Sequence, residues 1–226
     1  MDIKECVDYL NFWISKEKGA YYTIDELTQL IDRAQMAFYS DIKPRYAESQ
    51  LIKDTLAPFR TTYDFNTTNT ISGVVVVPSD SNYLDLLDIQ VYYTSEGRTI
   101  YYPIMLVNED ERADRLMSQV EPVTQYKPIG EQLAPRYFRI YPTQGWNGTV
   151  TYFRRPVKPV YGYSVISGRV IVYDPNTSVQ LEWRETEINK ILLKALSSIG
   201  INLSAADVSQ FSELKTQSNY QGLNQL

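Results

Sequence analysis

The hydrophobic period of this chain changes at Phe59 and changes back near Ile188, and that double switch narrows the folds open to it. An α-helix buries a stripe repeating every 3.6 residues, whereas a strand buries every second residue. Ile3, Val7, Leu10 and Ile14 follow the first rule, and Gly19 stands where such a helix would end. Thr23 followed by Glu26 is a capping-box pattern, which predicts a second helix with Leu27, Leu30, Ile31, Ala34 and Phe38 on one face and Pro44 as its stop. A third, shorter helix is expected between Arg45 and Leu56, closed by Ala57-Pro58. Packed antiparallel, these three would form a small bundle.

From Phe59 the apolar residues alternate. Thr61 to Phe65, Ile71 to Val77, Ile89 to Thr94 and Thr99 to Leu106 are predicted strands, the last two joined by Ser95-Glu96-Gly97. Asn108 before Glu109, Asp110 and Glu111 predicts a capped helix to about Met117. Val120 to Pro135 holds three prolines and Gly130, and reads as a loop or arm. Two hairpins are then expected, Arg136 to Tyr141 with Thr149 to Arg155 and Tyr161 to Ile166 with Arg169 to Tyr173. Helix resumes with Ile188, Ile191, Leu192 and Ala195 before Gly200, and Ser204 would cap a last one carrying Val208, Phe211 and Leu214. The expected class is α+β, with N-terminal helices, central antiparallel β hairpins and C-terminal helices. The expected segments are an N-terminal helical 1–58, an antiparallel β region 59–181 with one inserted helix and an extended loop, and a C-terminal helical 182–226 packing with the N-terminal helices, all integrated into one domain.

Composition bears on chemistry more than on fold. The 226 residues include no histidine and one cysteine, but 19 tyrosines against 7 phenylalanines and 3 tryptophans. Without histidine and with only Cys6, the usual metal, triad and proton-shuttle constellations cannot be built, and no cofactor or metal is expected. Tyrosine joins a large ring to a polar tip and is enriched where protein surfaces meet, which favours an assembly protein over an enzyme. A formal charge of −5 argues against free coating of nucleic acid. No apolar run approaches the roughly 20 residues of a membrane span. Asp2, Glu5 and Asp8 stand where a signal peptide would carry positive charge, so a disulfide-free protein made in the cytosol is expected, with Cys6 packed on the first helix.

Five groups of residues invite a functional reading. Asp85 with Asp88, Glu109 to Glu111, and Glu182 with Glu185 and Glu187 could pair as hydrolytic carboxylates, although the last two groups also sit where helix starts favour acids. Phosphate-binding glycine loops and nucleophile elbows are absent from the sequence. Arg154-Arg155-Pro156 with Lys158 would either contact phosphate or an acidic neighbour, or protect the end of an edge strand. Tyr92, Tyr93, Tyr101, Tyr102, Tyr137, Tyr141, Tyr152, Tyr161, Tyr163 and Tyr173 could present a stacking face to sugars or single-stranded nucleic acid, with alternation sending about half of them inward.

The run Tyr152-Phe153-Arg154-Arg155-Pro156, then Leu181-Glu182-Trp183-Arg184-Glu185-Thr186-Glu187-Ile188-Asn189-Lys190-Ile191-Leu192 and Gly200-Ile201-Asn202-Leu203, resembles neck proteins of short-tailed bacteriophages. The likeness is greatest to the ring, or head-to-tail adaptor, proteins of the crAss-like phages. Tyr9-Leu10-Asn11-Phe12, Tyr22-Thr23-Ile24-Asp25-Glu26-Leu27 and Arg33-Ala34-Gln35-Met36-Ala37-Phe38-Tyr39 resemble the start of the same proteins. That resemblance implies a virion subunit of a twelvefold ring below the portal, touching portal and other ring or tail proteins and passing duplex DNA without reading its sequence. An acidic conduit would not retain the translocating duplex. Leu181 to Phe211 is then the expected ring-packing helical portion, with Arg154, Arg155, Trp183 and Phe211 as interface residues. Val120 to Pro135, with Tyr126 and Pro128, and the C-terminal tail would be arms reaching a neighbour. The competing expectations are a tail-associated carbohydrate- or receptor-binding β module, and a carboxylate hydrolase.

Overall fold

The computed structural model describes residues 1–19, 21–68, 70, 72–95, 97–166 and 170–201. The expected last helix with Ser204 and Phe211, the polar tail, Ile71, and the turn residues Glu96 and Ser167 to Arg169 lie outside them. The described residues form an α+β protein with five helices and ten strands, helices at both ends. The chain divides into two units, Phe59–Arg155 and a second composed of Met1–Pro58 with the chain from Pro156 onward.

The second unit is mainly helical, and its three N-terminal α-helices begin where side chains satisfy their first amides. In α1 (Ile3–Lys18) Asp2 and Glu5 form a reciprocal capping box, and in α2 (Ile24–Ile42) Thr23 and Glu26 do the same. Gly19 closes α1 with φ of 58°, a left-handed conformation that suits glycine. Residues 45–49 do not join the third helix: α3 (Gln50–Leu56) starts only after Ser49, whose hydroxyl accepts the Leu51 amide. Of the two packings expected for the first two helices, with the third helix and with the C-terminal helical segment, the second is the one observed. The C-terminal α5 (Glu185–Ser198), not α3, packs on α1 and α2, burying Ile188, Ile191, Leu192 and Ala195 against Leu10, Ile14, Leu27 and Ile31.

Gln35 holds this core together. Its side chain is fully buried; its amide nitrogen donates to Asp32 Oδ1 at 2.8 Å and Val157 O at 3.1 Å, and its oxygen accepts from Trp183 Nε1 at 3.2 Å. A buried amide with every partner supplied fixes position rather than costing stability.

Phe59–Arg155 is the β unit, two four-stranded sheets sharing one core. The first sheet has the order β1 (Arg60–Phe65), β8 (Gly148–Arg154), β3 (Tyr83–Ser95), β4 (Arg98–Pro103), all antiparallel. The second has β2 (Val74–Val76), β7 (Tyr137–Tyr141), β6 (Ile129–Ala134) and β5 (Met105–Leu106), with β5 parallel to β6 and the other pairs antiparallel. Between β5 and β6 lies α4 (Glu109–Met117), capped by Asn108 and Glu111 as predicted. Inward-facing Phe65, Ile89, Val91, Val150 and Tyr152 of the first sheet meet Val75, Phe138 and Ile140 of the second.

Three expectations for this unit are overturned. Tyr137–Tyr141 and Gly148–Arg154 do not form a hairpin but belong to different sheets, because Trp146 between them turns inward and anchors a corner. Its indole Nε1 donates to Pro142 O at 3.0 Å, and Thr70 Oγ1 donates to its carbonyl at 3.1 Å. The predicted strand Thr99 to Leu106 is split at the buried Ile104, whose amide bonds Ile89 O at 2.9 Å, and the chain there crosses from one sheet to the other. The Ile129–Ala134 part of the expected arm is β6, an interior strand.

Gly148 is the tightest point. A Cβ there would stand 2.2 Å from Gln90 O and 2.5 Å from Phe65 Cζ, so Gly148→Ala should cost about 1–3 kcal/mol in chemical denaturation. A second expected outcome concerns alkali. Burial, reinforced by Asp85, pushes the Tyr83 hydroxyl up to about 12 from its ordinary 10. The folded state therefore favours the neutral phenol, a contribution complete below pH 10 and lost as pH climbs from 10 through 12. Denaturation across that window should show the β unit weakening, and Tyr83→Phe should flatten the decline.

Candidate interface surface

The 118–128 segment folds over the β4–β5 crossover and leaves a cleft of about 280 Å³ lined by Tyr102, Met105, Pro122, Tyr126 and Pro128, among others. Its floor is aromatic. Tyr102 and Tyr126 lie 5.8 Å apart by ring centroids, each is 6.4 Å from Tyr93, and Tyr93 in turn meets Trp146 edge-on at 5.8 Å. Gln144 Nε2 donates to the Tyr93 hydroxyl, which burial raises above its ordinary pKa. The segment is held by local bonds: the Tyr126 and Lys127 amides donate to Thr124, and the Glu121 amide to Ser118 Oγ at 3.1 Å. At the rim Arg115 is neutralised by Glu121. Below it Arg112 Nη1 grips both carboxylate oxygens of Glu131 at 2.7 and 2.8 Å, tying α4 to β6.

Met105 and Tyr126 of this lining are exposed, and so are Leu106, Leu116 and Val120, which adjoin lining residues in sequence, and Met117 next to Leu116, with Met117 82% and Val120 92% exposed. The lining suits burial of apolar groups, with tyrosine hydroxyls for orientation.

The predicted site residues divide. Tyr126 and Pro128 come together in this cleft, Tyr126 exposed and Pro128 buried. Arg154 ends β8 and Arg155 follows it; β8 lies between β1 and β3, so the edge-strand explanation for them is incorrect. The Arg154 guanidinium sits 5.8 Å from the Phe59 ring, the Arg155 amide donates to Asn82 O, and both side-chain-bearing residues are engaged within the fold. Trp183 is a core residue of the helical unit, edge-on to Phe38 at 5.3 Å, and presents no surface to a partner. Phe211 is outside the described residues.

The other candidates do not converge. Of the ten strand tyrosines, Tyr93 and Tyr102 meet at the cleft already described, while the exposed Tyr101, Tyr137 and Tyr163 lie on strands of three different sheets and share no stacking platform. Asp88 accepts from Gln90, Glu111 completes the α4 cap, Glu182 accepts the Val157 amide and Glu187 accepts from Thr186. Among the described residues no three His, Cys, Asp or Glu are grouped to hold a metal ion, and no helix is long and apolar enough to cross a membrane. Sequence reasoning named Tyr102 only as one of ten strand tyrosines and missed Met105; the place of both in the cleft follows from the sheet-to-sheet crossing at Ile104. Neither a protein-family model nor a curated protein matches the chain.

Proposed function

We propose that this chain is a structural virion subunit, one copy in a ring of a phage neck that connects portal to tail and continues the DNA channel. The apolar, aromatic lining of the Tyr102–Tyr126 cleft carries the reading, together with the exposed Leu116, Met117 and Val120 that neighbour it in sequence, because exposed large apolar side chains beside such a cleft suit a surface that a partner covers. The resemblance supplies the ring and its twelvefold order, and the net charge of −5 per copy suits a conduit that must release DNA. Negative-stain microscopy of the purified chain should show closed rings. Discrete monomers that bind glycans on an array would instead support the receptor-binding module, which the tilted Tyr92–Tyr101 pair, 5.5 Å apart on the outer face of the first sheet, favours.

A further inference from the structure

We propose that the helical unit binds a primary ammonium on an aliphatic chain, either a free amine or a lysine side chain of a partner, with Glu187 as its counter-ion. The site lies apart from the Tyr102–Tyr126 cleft and does not depend on the ring reading.

Glu187 belongs to the first turn of α5 and is 7% exposed, whereas the side chain of Glu185 in the same turn is 74% exposed. Acids are favoured at a helix start, but Glu185 meets that role from water, so the role does not account for the burial of Glu187. Its Oε2 accepts from Thr186 Oγ1 at 2.8 Å; among the described residues no donor meets Oε1 and no cation pairs with the carboxylate. A carboxylate so far out of water is costly until a donor reaches it.

The space for that donor is a cleft of about 260 Å³ that Glu187 helps to line. Its walls are otherwise mainly apolar, Phe38 and Ile42 from α2 and Leu51 and Ile52 from α3. A cleft of this size is just under the roughly 300 Å³ at which drug-sized sites begin, so it holds one small group and not a stretch of chain. An aliphatic stem along these walls with a cationic head on Oε1 matches the cleft in both character and sign. Thr186 already competes for Oε2, which disfavours the two-pronged grip of a guanidinium and favours the compact ammonium. The two basic residues of the lining leave the place open. Arg45 Nε is held by Glu48 at 3.1 Å, and Lys190, one turn beyond Glu187, is exposed and unpaired among the described residues.

The test is titration of n-hexylammonium into the full chain, followed by ligand-observed NMR, which reads monomers and rings alike. Binding should saturate, and n-butylammonium should bind roughly tenfold more weakly for the two methylenes withdrawn from the apolar walls. Hexanol and hexanoate, chains of the same length without the cation, should each bind at least about tenfold more weakly, a comparison that needs no variant. Glu187→Gln keeps the shape and the bond from Thr186; it should weaken n-hexylammonium at least about tenfold without lowering the thermal midpoint, since it removes an uncompensated buried charge. Lys190→Met removes the rival cation and should tighten binding. A blocked pentapeptide with one central lysine separates the two sources: binding comparable to n-butylammonium assigns the site to a partner's lysine, and binding of the free amines alone assigns it to them. Absence of saturation, hexanoate or hexanol bound as well as the ammonium, undiminished binding to Glu187→Gln, or weaker binding to Lys190→Met would overturn the proposal. None of these results bears on the ring, which microscopy of the same protein tests separately.

Discussion

Trp146→Ala should lower the stability of the β unit by about 3–5 kcal/mol, the range for deleting a buried indole. The ring is 1% exposed at the corner where the chain passes from the second sheet to the first, and it touches the core shared by both. Truncation leaves a cavity between the sheets and removes the Nε1 bond to Pro142 O. For a unit of about a hundred residues each kcal/mol corresponds to about 4–8 °C, so the thermal midpoint should fall by about 15 °C or more. The consequence extends to assembly. Tyr93 leans on Trp146 and forms the floor beneath Tyr102 and Tyr126, so the cleft loses its support although Trp146 faces no partner. Trp146→Phe keeps most of the packing and should cost about 1–2 kcal/mol for the lost bond and volume. Equal losses from both substitutions would show that the ring is not the anchor described.

Trp183→Ala should have a comparable effect, about 3–5 kcal/mol, on the helical unit. Here two causes can be separated. The alanine removes the packing on Phe38 and also leaves Gln35 Oε1 buried without its donor, whereas Trp183→Phe restores an aromatic ring without the N–H. An unsatisfied buried acceptor costs about 1–3 kcal/mol, so the phenylalanine variant should recover part of the loss and no more. Full recovery would mean that the Gln35 bond contributes nothing. Measured by urea denaturation followed at the α-helical circular dichroism band, the pair of variants assigns each contribution.

Elements set by neighbouring residues were legible in the sequence, and those set by distant ones were not. Thr23 with Glu26, Asn108 with Glu111, and Gly19 act within one turn, so the chain announces these helix ends locally. Strand partners are chosen across the fold: Tyr137–Tyr141 has the right alternation for a hairpin with Gly148–Arg154, yet pairs with β2 and β6. Ile129–Ala134 looks like loop because Pro128, Gly130 and Pro135 punctuate it. Gly130 serves packing instead, since a Cβ there would stand 2.7 Å from Ile104 Cγ2. Trp183 reads as a surface residue from its flanks, Glu182 and Arg184; its hydrogen-bond partner is 148 positions away. Tyr126 and Pro128 were therefore visible through their unusual segment and Tyr102 as a strand tyrosine, while Met105, and the meeting of all four in one cleft, required the crossing at Ile104.

The central claim is that this chain acts by being built into a shell of protein around a DNA channel. Electron cryo-microscopy of purified phage particles that encode it addresses that claim at its source. The account predicts a closed ring between portal and tail whose repeating density fits the helical unit and the two-sheet unit described above. A neck in which no ring accommodates this fold, or particles in which the chain occurs only at fibre tips, would contradict it.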